Sequence, residues 1–229
     1  MVTEMERGES VLRALYRKAL SGWIRITVRD RNRLRVEKVG GIEIIVLPGV
    51  FDGVLMRTGL FLAESVDRTP LAASARVLDL GTGSGIGAIF AAHRSAHVVA
   101  TDINPEAARC AHINALVHHL DHRIETRVGD LFAPIGDERF DAILFNPPYF
   151  RGKPRDLSDA AWRSPDVFDR FLDELPAHLS EGGRALVVLS TDGEIAAALR
   201  SAKHLKTHPI HQRDLVNEIV TVYEISVIR

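Results

Sequence analysis

From residue 75 onward the chain alternates between short apolar runs and stretches with helical spacing. Runs rich in Val, Ile, Leu and Phe at 76–80, 97–101, 123–128, 140–145, 184–189, 204–211 and 219–227 predict seven strands. Helices are predicted at 86–93, from Pro105 with Asn104 as its cap, at 165–179 capped by Ser164, and at 192–202. Ala108, Ala111 and Ala115 put small residues on one side of the second helix, which permits close packing on a sheet. Strands alternating with helices predict βαβ units and a mainly parallel sheet. The last two strands are joined by too short a link for a crossover and predict an antiparallel edge.

The first part of the chain reads differently. Val11, Leu12, Leu15 and Ala19 share a helical face within 4–21, and strand-like patterns follow at 23–28 and 34–46 with a Gly40-Gly41 turn. Residues 48–59 are loop-like, and 60–66 predict a short helix ended near Pro70. The expected organisation is therefore a helix and β-hairpin extension over 1–54 and one α/β domain over 55–229.

The 229 residues are 46% hydrophobic and 26% charged, which excludes a mostly disordered chain. No apolar run approaches the roughly 20 residues that cross a bilayer. Residues 1–10 are acidic and polar rather than signal-like, and a single cysteine excludes an intrachain disulfide framework. A cytoplasmic setting with no membrane partner is expected. Net charge of -1 excludes a strongly polycationic protein but not a local basic face. Residues 25–38 carry six basic and two acidic side chains, which fits either a solvated hairpin or a docking surface for RNA or an acidic protein.

The candidate chemistry lies at the ends of the predicted strands. Asp79-Leu-Gly81-Thr-Gly83-Ser-Gly85 is a glycine-rich turn between a strand and a helix, where backbone can approach a ligand closely. An acid two residues before the first glycine suits a cationic amino group better than a phosphate. Asp102 ends the next strand, where such folds grip a ribose diol. Asp130 follows the third strand and is placed to accept from an adenine amino group, with Leu131 or Phe132 covering the ring; a turn or cap aspartate is the alternative. Asn146-Pro147-Pro148-Tyr149 follows the fourth strand. Its prolines remove two N–H donors and leave carbonyl acceptors, so Asn146 Oδ1 and the Pro147 carbonyl suit the two hydrogens of a planar nitrogen.

His118, His119 and His122, and likewise His204, His208 and His211, show no fixed ligand geometry, and no metal is expected. Cys110 reads as helix packing. Trp162 and Phe168 fit either an acceptor cleft or core anchoring. Arg151, Lys153 and Arg155 fit either phosphate contacts or loop solubility.

With these residues in order over about 55–190, the chain resembles the class I S-adenosylmethionine-dependent methyltransferases. More narrowly it is similar to the HemK/PrmC family of protein glutamine N5-methyltransferases. The resemblance rests on 79–85, 100–107, Asn114-Ala115, 129–132 and 140–149. It implies a Rossmann-like fold with a mainly parallel seven-stranded sheet and an antiparallel C-terminal edge. It implies that Asp79 and the backbone of Gly81, Gly83 and Gly85 hold the methionyl part of S-adenosylmethionine, and that Asp102 holds the ribose. Asp130 and Leu131 would contact the adenine, and Thr58 would help cover the cofactor. Asn146 and Pro147 would orient the acceptor nitrogen, with Tyr149 packed on the acceptor. The implied acceptor is a glutamine of a protein such as a translation release factor. The alternatives are an exocyclic base amine, adenine N6 or guanine N2, in RNA or DNA, a small molecule, or a non-catalytic cofactor- or RNA-binding subunit. The short N-terminal region is closer to the compact branch of the family, whose members can use a small activator subunit.

Overall fold

The computed structural model describes residues 33–191, 193–215 and 218–228. The expected helix at 4–21, the strand at 23–28 and most of the basic stretch lie outside these residues. A hairpin of β1 (Arg35–Val39) and β2 (Ile42–Val46) comes first, closed by Gly40 and Gly41, both at positive φ. Helix α1 (Thr58–Asp67) leads into β3 (Arg76–Leu80), α2 (Ile86–Arg94), β4 (His97–Asp102), α3 (Pro105–Val117) and β5 (Ile124–Val128). Then come β6 (Phe140–Phe145), the short α4 (Leu157–Ala160), α5 (Val167–His178), β7 (Leu179–Ser190), α6 (Ala196–Ser201), β8 (Leu205–Asp214) and β9 (Ile219–Val227).

Strands β3 to β9 form one sheet in the order β5-β4-β3-β6-β7-β9-β8. Strands β3 to β7 run parallel, and β9 is antiparallel to both β7 and β8. The expected Rossmann-like topology and its antiparallel edge are both present. The chain steps outward from β3 to β5 and then returns to place β6 on the other side of β3. Ligands bind open α/β sheets at the carboxyl ends of the strands flanking such a reversal. That rule locates the site before any side chain is considered.

Alternation along the strands divides the core. Val77, Ala142 and Leu144 face a layer with α1, α2 and α3, whereas Leu78, Ile143 and Phe145 face Phe168, Phe171 and Leu175 of α5. Burial on both faces explains why these strands read as continuous apolar runs. Val39, Ile44 and Val46 of the hairpin pack in the first of these layers.

Several boundaries differ from expectation; α5 starts at Val167 with Asp166 rather than Ser164 at its N-cap, although Ser164 Oγ accepts from Val167 N–H at 3.1 Å. Strand β7 begins directly at Leu179, and Gly182-Gly183 lies inside it at a register shift against β6 rather than in a preceding turn. A Cβ on Gly183 would sit 2.8 Å from the Phe140 carbonyl oxygen, so the glycine is required by that close approach. The helix expected at 192–202 is confined to Ala196–Ser201.

The fully buried Asn114 side chain joins the hairpin to the sheet. Its Oδ1 accepts from Ile45 N–H at 2.9 Å, and its Nδ2 donates to the carbonyls of Ile45 at 2.7 Å and Ser84 at 2.8 Å. Truncation would strand the Ile45 N–H and the Ser84 carbonyl and leave the Ile45 carbonyl with only the Cys110 thiol. Asn114→Ala is therefore expected to destabilise the protein by about 3 kcal/mol, seen as a lower urea midpoint with an unchanged slope.

Candidate active site

The strand order places the carboxyl ends of β5, β4, β3 and β6 side by side. Above them lies a cleft of about 330 Å³, lined among others by Gly81, Gly83, Asp102, Asp130, Leu131 and Asn146. Its size falls within the range typical of small-molecule sites. A narrower recess beside it is lined by Asp79, Ser84, Gly87 and, again, Gly81, Gly83 and Asn146.

The glycine turn forms the floor. Gly81, Gly83 and Gly85 all have φ between +56° and +85°, a region that residues with a Cβ rarely enter. The Gly83 N–H donates to Asp102 Oδ2 at 2.9 Å, and Asp102 Oδ1 accepts from Asn104 N–H at 2.9 Å. Burial raises the Asp102 pKa, opposed by these two N–H groups. Asp79 lies deeper, 5% exposed, with Oδ2 accepting from the Thr82 hydroxyl at 2.6 Å and Ala88 N–H at 2.9 Å. Burial pushes its pKa up to about 7 against those two bonds. It reaches the recess, not the main cleft. The buried hydroxyls of Thr101 in the cleft and Ser84 in the recess have no hydrogen-bond partner.

Asp130 closes the far end of the cleft. Arg170 of α5 grips it in a fork, Nη1 to Oδ2 at 2.8 Å and Nη2 to Oδ1 at 3.2 Å. Leu131, next to it, is buried, lines the cleft and takes a left-handed φ of 45°.

The turn after β6 supplies a polar cluster. Asn146 Nδ2 donates to the buried Thr58 Oγ1 at 3.3 Å, and Asn146 Oδ1 accepts from the Tyr149 hydroxyl at 3.0 Å. Both ends of the amide are thus held, while one Oδ1 lone pair and one Nδ2 hydrogen remain. The cleft is lined by Asn146 and Pro148 but not by Pro147 or Tyr149; Pro147 is buried. Burial raises the Tyr149 pKa far above the usual phenol range, so the hydroxyl stays protonated and donates.

Residues 150–166 fold over the cleft as a cap. Phe150 donates its N–H to the Trp162 carbonyl and accepts from Ser164 N–H, and Phe51 meets Trp162 edge-on at 5.1 Å. Arg155 and Arg163 flank the buried Asp159, whose pKa is held down to about 2, chiefly by the hydrogen bond from Arg155. Arg151 pairs with Asp169. Phe168 is a core residue. Cys110 is buried, donates to the Ile45 carbonyl at 3.2 Å, and burial pushes its thiol up to about 11. No group of metal-ligating side chains occurs among the described residues. Nor is any helix among them long and apolar enough to cross a membrane.

Arg170, Phe51 and Asp159 escape the sequence reading. Arg170 meets Asp130 across 40 positions, and no local pattern announces such a pair.

The model of the methyltransferase small domain family matches residues 41–213. The ribosomal protein uL3 glutamine methyltransferase of Bradyrhizobium diazoefficiens is 39% identical over 134 residues, covering 52% of this chain and 42% of that protein. The release factor glutamine methyltransferase of Geobacter sulfurreducens is 32% identical over 173 residues, covering 68% and 58%. The chain thus spans about half the length of these curated relatives. The T. Thermophilus 16S rRNA N2 G1207 methyltransferase, solved with AdoMet and guanosine, shares the fold with a TM-score of 0.63. It is 23% identical, and the match covers 84% of this chain and 50% of that one.

The position of Asp79 has a measurable consequence. A carboxyl whose pKa is higher folded than unfolded adds stability that is complete below its unfolded pKa and lost as pH rises through the folded one. For Asp79 that window runs from about 4 to about 7. Wild type is expected to lose stability relative to Asp79→Asn by up to about 1.4 kcal/mol per pH unit across it. Urea titrations of both proteins from pH 4.5 to 8.5 should show the difference flattening above pH 8.

Proposed function

Since the chain belongs to the methyltransferase small domain family, we propose that it transfers a methyl group from S-adenosylmethionine to a planar amide nitrogen. The acceptor proposed is a glutamine side chain of a translation protein, such as a release factor or ribosomal protein, methylated in the cytoplasm. One observation carries this reading. Asn146 lines both the cleft and the recess while its amide is locked by Thr58 and Tyr149.

The donor set suits that cofactor. Asp79 in the recess suits the ammonium of its methionyl part, and Asp102 offers acceptors for ribose hydroxyls beside the open Gly81–Gly83 backbone. Asp130 and Leu131 present an acceptor and an apolar surface for the adenine. The unpartnered hydroxyls of Thr101 and Ser84 lie where a polar ligand would meet them. Bound there, the cofactor supplies an electrophilic methyl on its sulfonium.

The remaining work falls to the turn after β6. An amide nitrogen is a weak nucleophile because its lone pair is delocalised. The free lone pair of Asn146 Oδ1 and the Pro147 carbonyl would take its two hydrogens, turning the nitrogen lone pair toward the methyl. The same acceptors stabilise positive charge as it grows on nitrogen. Thr58 keeps Asn146 Nδ2 turned away, so that an acceptor rather than a donor faces the incoming N–H. The attacked nitrogen acidifies as it reacts, so its proton is lost without a dedicated base. Tyr149 acts here through Asn146, as a positioning residue.

A protein acceptor is favoured over RNA by the cap. Arg151 and Arg155 are each bound to a carboxylate within the fold, and two of the described basic residues of 25–38, Arg35 and Lys38, pair with Asp52 and Glu43. Those charges are already partly neutralised against phosphate.

Tritiated methyl transfer from S-adenosylmethionine into a matched lysate tests the proposal. Label should survive RNase, disappear with protease, and map to glutamine. Asn146→Ala should lower the rate by about 10²- to 10³-fold with cofactor affinity nearly kept. Tyr149→Phe should lower kcat by about tenfold, by freeing the Asn146 amide. Label removed by RNase instead would overturn the protein reading and make a base amine the acceptor.

A further inference from the structure

We infer that Arg170 is a specificity-determining residue, forming with Asp130 a two-part reader of the adenine edge. The inference rests on the proposed cofactor. Adenine presents a donor, its 6-amino group, beside a ring-nitrogen acceptor. A lone carboxylate answers only the first. At the far end of the cleft the structure sets a carboxylate and a guanidinium side by side, and both line the cleft together with Leu131.

The fork fixes this pair. Two of the five Arg170 N–H groups go to Asp130. Nε lies 3.4 Å from Asp166 without forming a hydrogen bond, and Nη1 and Nη2 each carry a second hydrogen. Each Asp130 oxygen likewise keeps a second lone pair. The pair can thus accept from the amino group and donate to the neighbouring ring nitrogen together. The 6-oxo group and N1–H of hypoxanthine reverse both requirements. The side chains are 39% and 44% exposed, so as a surface ion pair alone they would contribute little to stability. Arg170 also stands on the helical turn that holds the cap, since Asp169 beside it binds Arg151. The Arg170 half of the reader is therefore carried on a helix rather than on a loop.

The test compares equilibrium binding of S-adenosylhomocysteine and its deaminated form, S-inosylhomocysteine, by calorimetry. Wild type is expected to prefer the adenosyl ligand by at least about tenfold. Arg170→Ala should weaken that ligand about tenfold and bring the ratio near one. Arg170→Lys keeps the charge but not the fork, and should recover affinity without recovering the ratio. Melting temperatures near wild type certify the fold, and Arg170→Gln serves if the alanine variant is unstable. An unchanged ratio in these variants, or equal or tighter binding of both ligands, overturns the inference and leaves the proposed function standing. Failure of wild type to bind S-adenosylhomocysteine overturns both.

Discussion

The fold depends on how closely helix α3 can approach the glycine turn. A Cβ on Gly85 would lie 2.8 Å from the Ala111 Cα, so the turn and the helix meet backbone to backbone. On the opposite side, a Cβ on Gly87 would strike Asp79 Oδ1 at 2.6 Å. The turn is therefore held between a helix and a buried carboxylate, and Asn114 fastens its Ser84 carbonyl. Three left-handed glycines in five residues form a backbone that would not keep one shape unaided. Packing from both sides makes it a fixed floor, with the Gly83 N–H bound to Asp102.

The polar groups at the strand ends are set by that floor and by the parallel register. Asp79 pairs in register with Leu144 of β6, so the end of β6 delivers Asn146 beside the turn. Thr58 at the start of α1 then reaches Asn146 across 88 positions, and Tyr149 returns from the same turn to take the other end of the amide. Two segments far apart in sequence thus meet at one side chain. Its orientation is held by the two contacts.

Most of the sheet was legible because buried parallel strands and glycine turns leave local signals. Val77–Leu80 and Phe140–Phe145 are nearly all apolar, and Asn104-Pro105 marks a helix start that the Asn104 side chain caps by accepting from Glu106 N–H. The start of β7 was not legible, because 180–183 are polar and glycine-rich and only the register shift against β6 makes them strand. The carboxylates of the site were visible as isolated residues, but their partners were not. Asp130 carries no local trace of Arg170, nor Asp52 of Arg35. Long-range ion pairs are chosen by the fold, and a pattern of period 2 or 3.6 cannot encode them.

The hairpin is gripped through its main chain. Asn114 holds both polar groups of Ile45, Cys110 lies 3.5 Å from Leu47 N–H, and the His118 ring meets the Glu43 carbonyl. Backbone groups are the same whatever the residue. Outward-facing positions such as Leu34, Val36 and Lys38 can therefore change identity without loosening the attachment. Change in the hairpin's outer surface is thereby uncoupled from the glycine turn, whose Ser84 carbonyl the same Asn114 holds. The outer surface of the hairpin can therefore vary while the floor of the cleft stays the same.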